Sequence, residues 1–186
     1  MTLSSIGETT KQSVLSVIKG ADDVTTSLRE AVKNQLTGTL KAVGQVGSSA
    51  LENVGDLVAG SVSAASDAGV AVVVSVKDAV STTIMAVSEV GGDLLVAVRK
   101  SAGGAVYGAA SIGGDVGKTA VTAVEASIET AGKLGKDTTQ VAEVAVVGVI
   151  HAADKIGTEA GASVRKALLS AASLPHDVID AAIKGS

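Results

Sequence analysis

The sequence predicts an all-α protein built from long amphipathic helices. Three observations support this class: apolar residues recur every eleven positions, the apolar content is almost entirely Val, Ala, Leu and Ile, and the chain has a single proline. Eleven residues correspond to three helical turns at about 3.67 residues per turn, so one face stays apolar along the axis. A strand would need alternation with a period of two, which the chain does not sustain.

The recurring apolar positions define a stripe along the predicted helix. Steps of eleven from Val32 to Val164 meet only Val and Ala, and two further series, which pass through Leu40 and Val46, run beside the first. Together the three series cover an arc somewhat wider than about 120°. The residues predicted to form this stripe are Val43, Leu51, Val54, Val62, Val73, Val76, Ile84, Val87, Leu95, Val98, Val106, Ile112, Ile128, Leu134, Ile150 and Ile156.

The glycine content requires a compensating interaction. The chain has 22 glycines, and some twenty of them inside helices would cost about 15–20 kcal/mol relative to alanine. Small residues spaced four apart let helix backbones approach closely, and we therefore expect a recurrent groove for a neighbouring helix. The predicted helix-packing positions are Gly47, Gly69, Gly91, Gly104, Gly108, Gly113, Gly135 and Gly157.

The charged residues suggest how the chain is organised. One phase of the repeat is acidic from Asp56 to Glu89 and basic from Lys100 to Lys166, which favours antiparallel over parallel pairing. We therefore predict a repeat region over residues 1–172, which forms an extended α-hairpin with a fold-back between 91 and 117. An unbroken rod that packs laterally against other copies is the competing geometry. Residues 173–186 are predicted to form a separate short C-terminal helix.

The sequence carries little that points to chemistry. The segment from Gly113 to Thr119 approaches a phosphate-binding loop, but Ile112 stands where that motif needs its first glycine. His151 and Asp154 lie three apart on one helix face, which predicts an exposed histidine, since a metal site needs three or four ligands. The chain has no cysteine, which excludes disulfides, thiol catalysis and thiolate metal sites. Because no catalytic motif is found either, we expect no enzyme, no cofactor and no metal site.

Composition also limits the partners and the location. The net charge of −4 gives no electrostatic reason to expect nucleic acid. The mean hydropathy of +0.45 argues against a disordered chain. No apolar run reaches the roughly 18–20 residues that span a bilayer. The first residues lack the basic start and apolar block of a signal peptide, so the compartment stays open, with the cytoplasm as the default.

The segment Ala97–Gly135, "AVRKSAGGAVYGAASIGGDVGKTAVTAVEASIETAGKLG", resembles the eleven-residue amphipathic repeats of synuclein-type and perilipin-type proteins. The likeness lies in the period and in the use of Val, Ala, Gly, Thr and Lys, and bacterial granule-coating phasins are comparable in size. This resemblance implies helices that lie on lipid or polymer-granule surfaces. The chain departs from these families in having fewer lysines and a net negative charge.

Two functions follow as expectations. The first is a non-enzymatic structural protein that self-assembles through close lateral packing of long small-residue helices into a bundle, filament or sheet, with itself as partner. The alternative is an amphipathic coat that binds reversibly to lipid or granule surfaces. No nucleic-acid partner is expected.

Overall fold

The computed structural model describes residues 2–19, 21, 23–42 and 51–185, and the regular structure in this part of the chain is entirely helical. This confirms the predicted all-α class. The helices are α1 Ser5–Ile18, α2 Val24–Ala42, α3 Val54–Asp67, α4 Val72–Glu89, α5 Leu94–Ser111, α6 Val116–Lys133, α7 Thr138–Ile156, α8 Thr158–Ser170 and α9 His176–Gly185.

A glycine with positive φ ends each helix from α3 to α7. These glycines are Gly69, Gly91, Gly113, Gly135 and Gly157, each 22 residues after the one before. At the end of α4, the Gly91 amide donates to Ser88 and the Gly92 amide donates to Val87, which is the Schellman arrangement of a helix C-terminus. The same pair of hydrogen bonds ends α3, α5 and α6. Only glycine adopts this left-handed backbone without a steric cost.

Aspartate begins the next helix after three of these turns. Asp93 accepts hydrogen bonds from the amides of Leu95 and Val96, and Asp115 and Asp137 cap α6 and α7 in the same manner. A side-chain acceptor at this position satisfies amides that have no partner within the helix. Glycine followed two residues later by aspartate therefore forms a short turn that stops one helix and starts the next.

The structure differs from the predicted long hairpin or rod in the length of its helices. The chain does not fold back once between 91 and 117; it turns at the end of each helix, and 90–93 and 112–115 are two turns of a series. The reason is that the glycines 22 residues apart terminate helices instead of lying inside one. The predicted short C-terminal helix corresponds to α9.

The helices form two layers, because each one packs beside the second helix along the chain. The odd layer contains α1, α3, α5 and α7, with α9 packed against α7, and the even layer contains α2, α4, α6 and α8. Contacts within a layer join residues about 49 positions apart, as between Arg29 and Asp78 or between Ser81 and Thr130. Helices next to each other in a layer therefore run parallel, while consecutive helices cross between the layers.

The core lies between the layers and contains most of the predicted stripe. Nine stripe residues are buried: Leu51, Val54, Val62, Val76, Ile84, Val87, Val98, Val106 and Ile150. Five are half-buried: Leu95, Ile112, Ile128, Leu134 and Ile156. Val73 is exposed, contrary to its place in the stripe, because it lies in the first turn of α4. Val43 lies outside the described residues. None of the described helices is both long enough and apolar enough to cross a membrane.

Candidate binding groove

Helices of the odd layer touch backbone to backbone at glycines. A Cβ atom added to Gly104 of α5 would overlap the carbonyl oxygen of Gly55 in α3, and one on Gly60 would overlap that of Gly7 in α1. On the other side of α5, a Cβ on Gly148 of α7 would lie 2.5 Å from the carbonyl oxygen of Arg99. Real Cβ atoms do not approach this closely, so each of these three positions requires glycine.

The predicted helix-packing glycines separate into two groups. Gly104 and Gly108 lie at the contact between α5 and α3, where a Cβ on Gly108 would be 2.8 Å from the carbonyl oxygen of Ala59. The turn glycines do not pack against a helix: a Cβ on Gly69, Gly91, Gly113, Gly135 or Gly157 would meet nothing within 4 Å. Their assignment to a packing groove was wrong, because their role is the positive φ of a helix end. Gly47 lies outside the described residues.

A cavity of about 230 Å³ opens on the odd layer where α3, α5 and α7 meet. We call this cavity the glycine groove. Its glycines keep side chains away from the places where the three helices come together, and its remaining walls are polar. The residues that line the groove are Glu52, Gly55, Asp56, Arg99, Lys100, Gly103, Gly104, Tyr107, Gly148, His151, Ala152 and Lys155.

The two sides of the glycine groove carry opposite charge. Glu52 and Asp56 lie on the α3 side, whereas the cationic residues belong to α5 and α7. One pair closes across the boundary: Lys100 Nζ donates to Glu52 Oε2 at 2.6 Å, and this hydrogen bond lowers the pKa of Glu52. The Asp56 carboxylate forms no hydrogen bond or ion pair with any described residue. The acidic side therefore keeps one carboxylate available.

The basic side keeps two available cations. Arg99 and Lys155 form no ion pair with a carboxylate of the described residues. His151 lies beside Lys155 on the same helix and also lines the groove. Guanidinium and ammonium groups that converge on a cavity are the usual protein ligands of carboxylate and phosphate oxygens.

Tyr107, the only aromatic residue of the chain, lines the groove at the α5 side. It also lines a second cavity, which it shares with Asp56 and the residues before α1. Burial raises the pKa of its hydroxyl, and the charge of Asp56 adds to this increase. The phenol is therefore a hydrogen-bond donor near the acidic side of the groove.

His151 and Asp154 do not form a pair. Both Asp154 carboxylate oxygens accept hydrogen bonds from Arg165 of α8, at 2.5 and 2.8 Å. These hydrogen bonds lower the pKa of Asp154. His151 is exposed, as the sequence predicts, and belongs to the glycine groove. The segment from Gly113 to Thr119 spans the turn between α5 and α6, where Asp115 caps α6.

Sequence reasoning did not bring the groove residues together. Asp56, Arg99 and Lys155 come from three helices, and no single spacing relates them, since Arg99 follows Asp56 by 43 residues and Lys155 follows Arg99 by 56. Within the described residues, no three His, Asp or Glu side chains lie close enough to hold a metal ion. The sequence matches no protein-family model and no curated protein.

Proposed function

We propose that this chain is a non-enzymatic structural protein whose copies assemble end to end into a filament. The observation that carries the proposal is the apolar surface left uncovered on α1, the helix at the N-terminal end of the odd layer. Ile6 and Val17 are both exposed, Val17 by 53%. They lie eleven residues apart, which places them on the same face of the helix.

The buried face of α1, which adjoins these two residues, supports the idea that a further helix can be added. There Gly7 contacts Gly60 of α3, so α1 and α3 already pack by the close glycine contact that recurs through the odd layer. A cavity between α1 and α2 on the outer side is lined mainly by small residues and includes Ser13, Val17 and Gly38. A side chain from another molecule could enter it without displacing bulky groups.

The other end of the molecule offers a complementary group. Leu169 of α8, the last helix of the even layer, is 44% exposed. Contact between this end of one copy and the α1–α2 end of the next joins two different surfaces. A contact of this kind lets every copy bind the next one in the same way. Repetition of the contact produces an open filament unless the rotation per copy closes a ring. The predicted partner is therefore a second copy of the chain.

The first test introduces a charge at the uncovered face of α1. Val17→Asp is expected to prevent end-to-end contact, because burial of an unpaired carboxylate is strongly unfavourable. Light scattering over a concentration range and electron microscopy measure the result: the unmodified chain should give growing assemblies and the variant only monomer. Val74→Asp is the matched control, since Val74 is 43% exposed but lies on α4, away from both ends. An unmodified chain that stays monomeric up to about 1 mM contradicts the proposal.

A reversible coat on lipid or polymer-granule surfaces is the second candidate. Val74 and Met85 favour it, because these exposed residues lie eleven apart on one face of α4. Most of the predicted stripe is buried between the layers, so a coat would use this narrow face or would require the layers to separate. Flotation with neutral vesicles separates the two functions: a coat predicts that Val74→Asp loses binding and that Val17→Asp keeps it.

A further inference from the structure

We propose that the glycine groove binds a small anion that carries a phosphoryl or carboxylate group together with a hydroxyl or amino group. The anionic group lies between Arg99 and Lys155, and the donor group faces Asp56. This proposal is independent of assembly, because the groove lies on the outer surface of three central helices and not at either end of the array.

The first step of the argument is the charge that the protein leaves unpaired. Arg99 and Lys155 line the same cavity and form no ion pair with the described residues. Lys100 beside them contacts Glu52 directly, and the charge of Arg99 acts on the same carboxylate without a hydrogen bond. Elsewhere the chain pairs many of its bases with acids, as in the bidentate contact between Arg165 and Asp154. An arginine and a lysine at one concave site can hold an oxyanion with charge-assisted hydrogen bonds.

The second step is the carboxylate on the opposite side. Asp56 is half-buried, lines the groove and lacks a partner among the described residues. A plain anion would be repelled by it, while a hydroxyl or ammonium group on the same ligand would donate a hydrogen bond to it. The side-by-side placement of one acceptor and two cations therefore selects a ligand with both kinds of group.

The third step is the space available. Gly103, Gly104 and Gly148 line the cavity where adjacent helices are in backbone contact, so this part of its wall carries no side chain. The cavity of about 230 Å³ lies below the roughly 300–1,000 Å³ of sites for drug-sized ligands. It has the size of a phosphorylated triol or a small hydroxy acid.

The test measures binding of five probes by NMR titration of the full chain. Three of them are inorganic phosphate, glycerol 3-phosphate and glycerol, and the other two are lactate and acetate, a carboxylate with and without a hydroxyl group. We expect glycerol 3-phosphate to bind more tightly than phosphate and glycerol not to bind, with shifts at the amides of Gly103, Gly104 and Gly148. If glycerol 3-phosphate binds more tightly than lactate, the anionic group of the ligand is a phosphoryl group. If lactate binds more tightly, it is a carboxylate.

Variants assign the roles of the side chains. Arg99→Gln and Lys155→Gln are each expected to weaken binding of glycerol 3-phosphate about tenfold to a hundredfold, because each removes a hydrogen bond to a charged group. Lys136→Gln is the matched control, since this exposed lysine lies in a turn outside the groove. Asp56→Asn should strengthen binding of plain phosphate and remove the preference for glycerol 3-phosphate.

Two results would overturn the proposal. The first is equal binding by the unmodified chain, Arg99→Gln and Lys155→Gln, with circular dichroism that shows all three folded. The second is a set of shifts that lies outside the groove. Neither result depends on whether the chain forms filaments, because the titration is performed with Val17→Asp as well as with the unmodified chain.

Discussion

The odd and even layers have the same topology but hold their helices together differently. In the odd layer, glycines bring backbones into contact, as at Gly104 against Gly55. In the even layer, side chains bridge the helices: Arg29 contacts Asp78 at 2.7 Å, Lys77 contacts Glu129 at 2.8 Å, and the hydroxyls of Thr130 and Ser81 lie 3.0 Å apart. The odd layer also has ion pairs, from Lys11 to Asp67 and from Lys100 to Glu52, so the two layers differ in their backbone contacts at glycine and not in the presence of charge pairs.

The difference shows how chemistry follows from the distance between helices. Where glycine lets two backbones meet, as at Gly55 and Gly104, no side chain fits between the helices, and the charged residues nearby lie at the rim of a groove. Some of them still pair there, as Lys100 does with Glu52, whereas Arg99, Lys155 and Asp56 form no ion pair.

The largest expected effect comes from a methyl group added to the odd layer. Gly104→Ala should lower the free energy of unfolding by about 2–3 kcal/mol, because the new Cβ overlaps the Gly55 backbone and forces α3 and α5 apart. The matched control is Gly38→Ala in α2, where a Cβ meets nothing within 4 Å. That variant should gain up to about 1 kcal/mol from helix propensity. Urea denaturation measures both, and equal effects would remove the distinction between the layers.

A second prediction concerns the most buried charge of the even layer. Asp78 is only 8% exposed, and its Oδ1 accepts two hydrogen bonds from Arg29. Arg29→Gln should cost about 1.5–3 kcal/mol, since the carboxylate stays buried without its charged donor. Adding Asp78→Asn should recover much of this loss, and Lys33→Gln, which breaks an exposed pair, should cost about 0–1 kcal/mol. If the double variant is no more stable than Arg29→Gln alone, Arg29 stabilises the fold by packing and not by its charge.

A third prediction tests whether the turns are equivalent in the two layers. Asp93 begins a helix of the odd layer and Asp115 one of the even layer, and both accept backbone hydrogen bonds. Each substitution to alanine should cost about 1 kcal/mol, measured by thermal or urea unfolding. If Asp93→Ala lowers the free energy of unfolding much more than Asp115→Ala does, the contribution of a helix cap depends on the layer in which the helix lies.

The smallest expected effect concerns the acid titration of Glu129, a carboxylate of the even layer. Hydrogen bonds from Lys133 and Lys77 lower the pKa of Glu129 from 4.5 to about 2. Because the pKa is depressed in the folded state, the stabilisation is present above pH 4.5 and is lost as the pH falls toward 2. NMR titration should show this low pKa, and Lys77→Gln should raise it. A pKa that Lys77→Gln leaves unchanged would mean that the pair does not form in solution.

The sequence was sufficient for the helical class and for most of the core, but not for the role of the glycines. Turn glycines such as Gly91 recur at multiples of eleven because a helix and its turn occupy 22 residues, and this regularity resembles a helix face. Interior glycines such as Gly104 follow a different signal, the spacing of four residues from Gly104 to Gly108. The difference lies two residues further on, where Gly91, Gly113 and Gly135 are followed by aspartate and Gly104 is not. The glycine groove could not be predicted from the sequence because its residues come together only when the layers form.

The alternation of layers limits how this chain can change in length. Loss of one helix with its turn, which is 22 residues, would transfer every later helix to the opposite side of the array and set glycine faces against salt-bridged ones. Loss of two successive helices with their turns would restore the original order of the layers. We therefore expect tandem duplications and deletions to be tolerated in even numbers of these units, so that a folded variant of different length differs from this chain by whole helix pairs.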